Sequence, residues 1–156
     1  MARTPGIAAA EKAGVVHAVH EYEHDPKAES YGLEAAERLG VDPARVFKTL
    51  VADLDGTLEV AVVPVAAQLD LRALGGKRSR MAEPRDVERT TGYVLGGVSP
   101  LGQRRPLATT VDSSALDHDT VFISAGRRGL ELELDPRDLV RLTAASVRAI
   151  ARQATG

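Results

Sequence analysis

The chain has 156 residues, 44% of them hydrophobic, and carries 20 basic against 22 acidic side chains for a formal charge of −2. That length buries a real core without disulfide or metal staples and predicts one domain over residues 1–156. With no cysteine, no tryptophan and only three tyrosines and two phenylalanines, the composition excludes a disulfide framework, a thiolate metal site and a cysteine nucleophile. It also argues against binding by stacked aromatic platforms.

The start, Met1-Ala2-Arg3-Thr4-Pro5-Gly6, lacks an uninterrupted apolar signal region, and no run of 18 apolar residues occurs. A soluble, cytoplasmic protein without a membrane partner is expected. In chain order, the pattern predicts a short helix over 7–13 ended near Gly14, then a strand over 15–23 closed by Asp25-Pro26. Ser30 is placed to cap a helix over 31–39 with Gly40 as its stop, and Asp42-Pro43 begins a brief further turn. Residues 46–53 and 58–64 flank Asp55-Gly56 and read as a hairpin. A helical turn and a half over 69–74 follows, then a helix from Pro84 to Thr90. Strands are predicted at 93–95, 108–112, 120–125 and 130–134, with helices from Pro136 toward Leu142 and over 144–154. Seven strands interleaved irregularly with helices predict a mixed α/β fold, its sheet curled or barrel-like and surrounded by helices.

The segment Gly96-Gly97-Val98-Ser99-Pro100-Leu101-Gly102 cannot propagate a helix or a central strand. It reads either as a tight turn or as a shaped loop whose N–H groups converge on one bound oxygen. Ser99 sits in no Gly-x-Ser-x-Gly elbow, so its hydroxyl is expected to bond a ligand or its own loop. Strand alternation puts Lys48 in a row with Val46, Leu50 and Ala52. Either that row faces inward, where the ammonium needs a partner or ligand, or the strand lies at an edge and the stem snorkels to water. His17, His20 and His24 do not share a face in a strand and do not make a ligand set, so no metal is expected. His118 reads as a surface loop residue. The basic stretches Lys77-Arg78-Ser79-Arg80, Arg104-Arg105 and Arg127-Arg128 are the local grips left to any nucleic acid, a duplex-wrapping protein being basic overall. Each is by itself most simply solvated surface. Gly126-Arg127-Arg128-Gly129 suits a phosphate or ribose, but a hairpin turn with exposed arginines is the simpler reading.

Taken together, His20-Glu21-Tyr22-Glu23-His24-Asp25-Pro26, Val46-Phe47-Lys48-Thr49-Leu50, Ala66-Ala67-Gln68-Leu69-Asp70-Leu71, Thr91-Gly92-Tyr93 through Gly102-Gln103, and Gly126 through Leu132 resemble, in order, the bacterial YbaK/EbsC proteins. These are free-standing relatives of the editing domain of prolyl-tRNA synthetase, and the similarity is greatest to their Cys-tRNA(Pro) deacylase branch. The resemblance implies a YbaK-type fold and hydrolysis of a mischarged aminoacyl ester at the 3′ end of tRNA, without a cofactor. It leaves open cysteinyl or alanyl specificity, a non-catalytic tRNA- or nucleotide-binding role, and whether prolyl-tRNA synthetase acts as a partner. By it Lys48 is the essential lysine, and Gly96, Gly97, Val98, Ser99 and Pro100 form the substrate loop. Tyr22, Tyr31, Thr49, Ser124, Gly126 and Glu131 fall on the pocket. The nucleophile it implies is the substrate's own thiol in cysteinyl esters and an activated water in other branches. Two departures stand out: the segment 71–77 is short for this branch, and Glu131 occupies a position at which members differ.

Overall fold

The computed structural model describes residues 3–28 and 30–153. Met1, Ala2 and Ala154, the end of the last predicted helix, lie outside them. Helix α1 (Pro5–Ala13) begins where the Thr4 hydroxyl accepts the Ile7 N–H, and ends at Gly14. Strand β1 (His17–Glu21) precedes α2 (Tyr31–Leu39), which Ser30 caps and Gly40 stops. A 3₁₀ turn (Pro43–Arg45) leads into β2 (Phe47–Leu54) and β3 (Thr57–Pro64). Asp55 and Gly56 between them both take positive φ, 54° and 95°, the pairing a two-residue hairpin turn needs. Next come β4 (Ala67–Leu69), α3 (Leu71–Leu74), β5 (Ser79–Met81), α4 (Pro84–Thr91) and β6 (Thr109–Asp112). The chain continues through β7 (Val121–Arg127), β8 (Leu130–Leu134), α5 (Pro136–Thr143), β9 (Ser146–Arg148) and β10 (Ala151–Gln153). Among the described residues no helix is long and apolar enough to cross a membrane.

The strands do not form one curled or barrel-like sheet. They divide into a mixed five-stranded sheet ordered β5-β2-β3-β6-β9, an antiparallel β1-β8-β7 sheet and a β4-β10 pair. The two larger sheets share one parallel bridge, Val46 to Phe122, and no ladder beyond it. Beyond that bridge β7 bulges between Ser124 and Arg127, which bends the strand and breaks the regular spacing that a continuing ladder needs, while Phe47 and Ile123 pack into the central core.

Two further expectations fail locally. Tyr93-Val94-Leu95 is not a strand: the Gly97 N–H returns to the Val94 carbonyl at 3.0 Å, making a turn that leaves Val94 and Leu95 exposed. Residues 144–153 are not helical, because tertiary partners take the backbone groups a helix would use. The Asp112 carboxylate accepts the Ile150 and Ala151 N–H groups at 2.9 Å each, while β9 pairs with β6 and β10 with β4. Arg148 also donates to the Ala73 and Leu74 carbonyls, fastening this segment to α3.

The central core is aliphatic: Val60, Val62, Ile123, Leu130, Leu132 and Leu139 are fully buried, with α1 packed on one side. Ala52, Ala61, Val63, Leu74 and Ile150 fill the opposite face of the β2–β3 hairpin, so its strands are covered on both sides. Ile123→Ala deletes a wholly buried side chain beside the inter-sheet bridge. It should lower the unfolding free energy by roughly 3 kcal/mol in urea titrations; a loss below about 1 kcal/mol would show that the core relaxes there.

Candidate active site

Strand β2 pairs with β3 along its whole length but with β5 only from Ala52 to Leu54, leaving its first half as a free edge. Beyond the Val46–Phe122 bridge this edge parts from β7, and a cavity of about 280 Å³ opens in the gap. Phe47, Lys48, Thr49 and Leu50 make one wall. Ser124 and Glu131, directly paired across β7 and β8, stand on another wall. Tyr31 and Gly32 at the start of α2, with Leu95, Gly96 and Val98, complete the enclosure. A larger groove of about 530 Å³ lies between α1, the 100–107 segment and α5, but its only charged lining residue is Lys12. The smaller cavity gathers the ionisable and hydroxyl side chains Lys48, Glu131, Tyr22, Thr49 and Ser124.

Both readings of Lys48 are partly right. The strand is at an edge there, yet the side chain is half-buried, and burial alone pulls its ammonium below the usual lysine range. No carboxylate contributes to that shift. Two more polar atoms on cavity residues, Thr49 Oγ1 and Arg128 Nε, are buried without a hydrogen-bond partner among the described residues. Buried polar atoms are almost always satisfied, so an ammonium without a carboxylate partner beside two residues with unsatisfied buried atoms makes this cavity the candidate for a polar ligand.

Arg128 is more than the exposed turn residue the sequence suggested. Its guanidinium lies 3.8 Å over the Tyr31 ring, and its Nη2 donates to the Leu95 carbonyl at 3.0 Å. This ties the β7–β8 turn to α2 and to the glycine loop. The loop's glycines are needed for that approach. Gly96 has φ +87°, and a Cβ there would sit 2.8 Å from the Tyr31 ring; one on Gly97 would sit 2.8 Å from the Arg127 Cα. The Gly97 N–H is used by its own turn, whereas the Gly96 and Val98 amides take part in no backbone hydrogen bond among the described residues.

The structure thus gathers Lys48, Tyr22, Tyr31, Thr49, Gly96, Val98, Ser124 and Glu131 around one cavity. Gly97 backs onto Arg127, and Gly126 packs behind the wall against Tyr93. Pro100 lines the other groove. Ser99 is fully buried: its Oγ accepts the Leu101 N–H at 3.2 Å and its carbonyl accepts from Gln103 Nε2 at 3.0 Å. Of its two expected roles, the hydroxyl takes the one within its own loop. Sequence reasoning missed Ser30, Gly32, Phe47, Leu50 and Leu95 as lining residues, and for Arg127 and Arg128 it preferred an exposed hairpin turn to the phosphate- or ribose-binding turn it also weighed. The adjacency of Phe47 and Leu50 to Lys48 was a usable signal for those two; the partners that hold Arg128 at the cavity come from other segments and left none.

The histidines disperse. His17 Nδ1 meets the Val15 carbonyl at 2.8 Å, His20 Nε2 meets Glu133 at 2.9 Å, and His24 Nδ1 meets Glu34 at 2.7 Å. Among the described residues no three histidine or carboxylate groups converge as a metal site. Glu131 is only 7% exposed, and burial pushes its carboxyl up to about 8. The Tyr22 hydroxyl is pushed up to about 12 by burial and then by the Glu131 charge beside it.

A model of the family described as "Aminoacyl-tRNA editing domain" matches residues 25–142. A candidate Cys-tRNA(Pro)/Cys-tRNA(Cys) deacylase, EbsC, of Enterococcus faecalis is 40% identical over 113 residues, 69% of this chain and 69% of that protein. Among solved structures, the hypothetical protein APE2540 superposes with a TM-score of 0.84 at 27% identity, covering 96% of this chain and 100% of its own. A candidate trans-editing enzyme for prolyl-tRNA synthetase superposes with a TM-score of 0.78 at 26% identity, covering 97% and 99%.

The Glu131 environment has a measurable consequence. Its folded pKa of about 8 lies above the ordinary 4.5, so the proton-bound form is the stable one. The stability this confers is fully present below about pH 4.5 and is lost as pH rises through about 8. Glu131→Gln cannot ionise and should gain on the natural protein across that window. Its melting temperature relative to the natural protein should rise by roughly 10 °C between pH 5 and pH 9; an unchanged difference would show that the carboxyl does not titrate in this range.

Proposed function

The chain belongs to the aminoacyl-tRNA editing domain family, and on that premise we propose that it is a trans-acting deacylase that hydrolyses mischarged aminoacyl-tRNA, with Cys-tRNA(Pro) as its principal substrate. The observation that carries this reading is the unpaired Lys48 in a cavity with orphaned donors, at the mouth of which lies a glycine loop with free amides. A terminal aminoacyl adenosine brings what these groups lack: an ester carbonyl, ribose hydroxyls and a phosphate.

Attack on the ester carbon turns the carbonyl into an oxyanion. Of the loop residues that line the cavity, Gly96 and Val98 have N–H groups free of backbone bonds among the described residues and are the donors available to receive that charge, and one well-placed donor lowers the barrier by about 3 kcal/mol. As the tetrahedral species collapses, the bond from the acyl carbon to the ribose oxygen breaks and that oxygen takes up a proton. Lys48 holds the terminal phosphate or another anionic oxygen, orienting the ester without attacking it. No histidine lines the cavity, so its hydroxyls lack an imidazole base, and a protein nucleophile is not required. The substrate's thiol in a cysteinyl ester, forming a cyclic thioester that water then opens to free cysteine, or a water in other esters, serves instead, and the proton the nucleophile gives up is the one the departing ribose oxygen takes. Arg127 and Arg128 at the rim, and the exposed Leu95, face the path along which the tRNA end arrives, and prolyl-tRNA synthetase is the partner that would supply tRNA identity.

A purified preparation should release labelled amino acid from Cys-tRNA(Pro) faster than from Ala-tRNA(Pro), and leave Pro-tRNA(Pro) intact. Lys48→Ala should lower that rate by about 100-fold or more with an unchanged circular dichroism spectrum. Binding of the tRNA with no ester loss would instead assign a non-catalytic binding module. Because its hydroxyl is buried within its own loop, Ser99→Ala should keep turnover within about tenfold of the natural rate; complete loss would argue for a serine nucleophile.

A further inference from the structure

Glu131 and Glu133 lie two residues apart on the same face of β8, yet their surroundings are opposite. Glu133 is satisfied by the protein: Thr120 Oγ1 at 2.5 Å, His20 Nε2 at 2.9 Å and Arg45 Nη2 at 3.3 Å all meet its oxygens. These partners hold its carboxyl below the usual range against the cost of burial. Glu131 is more deeply buried and has no such company. His20, its direct partner across the β1–β8 ladder, gives its ring nitrogen to Glu133 instead. Arg127 at the rim pairs outward with Glu21 at 3.3 Å, and Arg128 is held on Tyr31 and the Leu95 carbonyl. Lys48 lines the same cavity. Among the described residues neither Lys48 nor Glu131 makes an ion pair or a side-chain hydrogen bond, so the cavity holds an ammonium and an acid that the protein leaves without partners.

Burying an acid with no counter-charge is costly unless a ligand supplies one. A ligand that satisfies both walls carries an anionic or carbonyl oxygen at one end and a cationic amine at the other. We propose that Glu131 is the acceptor for the free α-ammonium group of the bound aminoacyl residue, so that the site selects esters with an unblocked amine. This rests on the deacylase reading for the identity of the ligand. On binding, the Glu131 carboxyl releases its proton to solvent and the ammonium supplies the charge partner that Glu133 obtains from Arg45. Glu131 is thus a specificity-determining residue, distinct in role from the lysine that orients the ester.

The test uses a hydrolysis-resistant mimic, 3′-alanylamino-3′-deoxyadenosine, with its amine free or acetylated, titrated calorimetrically against the full chain. The natural protein should bind the free amine at least tenfold more tightly than the acetylated form. Glu131→Gln should bring the two affinities within about twofold, and Glu131→Asp should keep a preference for the free amine. Equal affinities in the natural protein, a preference that survives in Glu131→Gln, or no binding of either mimic at millimolar concentration would each overturn the proposal. If the Gln variant does not fold, the Asp variant and the natural ratio still decide. Because no ester is cleaved, a preserved preference alongside absent deacylation would count against the proposed reaction and not against this role for Glu131.

Discussion

The site depends on a single main-chain contact. Val46 and Phe122 bridge the five-stranded and three-stranded sheets in parallel, and the strands part immediately afterwards. Had the ladder continued, the edge of β2 would have been consumed by β7 and no cavity would remain. The bulge between Ser124 and Arg127 bends β7 and interrupts its regular spacing, and Phe47 and Ile123 pack into the core beside the bridge. The unclosed seam is therefore what presents Lys48, Thr49, Ser124 and Glu131 to one space. It is braced from outside, where Arg45 next to Val46 reaches Thr120 and Glu133 and lies 5.1 Å over the Phe122 ring.

Around the seam, stability and function pull in different directions. An unpaired ammonium, an unpaired acid and two orphaned donors raise the free energy of the empty protein, and the aliphatic core must offset that cost. The benefit is preorganisation. Groups that meet a ligand need not first be released from partners within the protein. Glu133, fully engaged two residues from Glu131, shows that the same strand can satisfy a carboxylate where none is to be offered to a ligand.

Elements governed by local rules were legible in the sequence. Ser30 and Gly40 bracket α2, and Asp55-Gly56 turns the β2–β3 hairpin, because caps and turns are decided by the residues that form them. Strands β4, β5, β9 and β10 are three residues each, too short for alternation to show. Residues 144–153 kept a helical pattern on paper and lost it to Asp112, a partner far along the chain. The site divides along the same line. Lys48 stood out because a lysine in an apolar row is anomalous wherever it lies, while Arg128 looked ordinary until Tyr31 and Leu95 came beside it. Ser99 drew attention through its loop, but burial turned its hydroxyl to holding that loop together.

The five aromatic residues carry one further implication. Tyr22, Tyr31 and Phe47 line the cavity and Phe122 forms the bridge beneath it. Tyr93 secures the glycine loop, its hydroxyl donating to the Leu101 carbonyl at 2.7 Å. The chain has three tyrosines and no tryptophan, so its near-ultraviolet absorption, dichroism and emission all originate within this one neighbourhood. The near-ultraviolet spectrum of the whole protein is in effect a local signal from the cavity and its supports, an intrinsic reporter that needs no label.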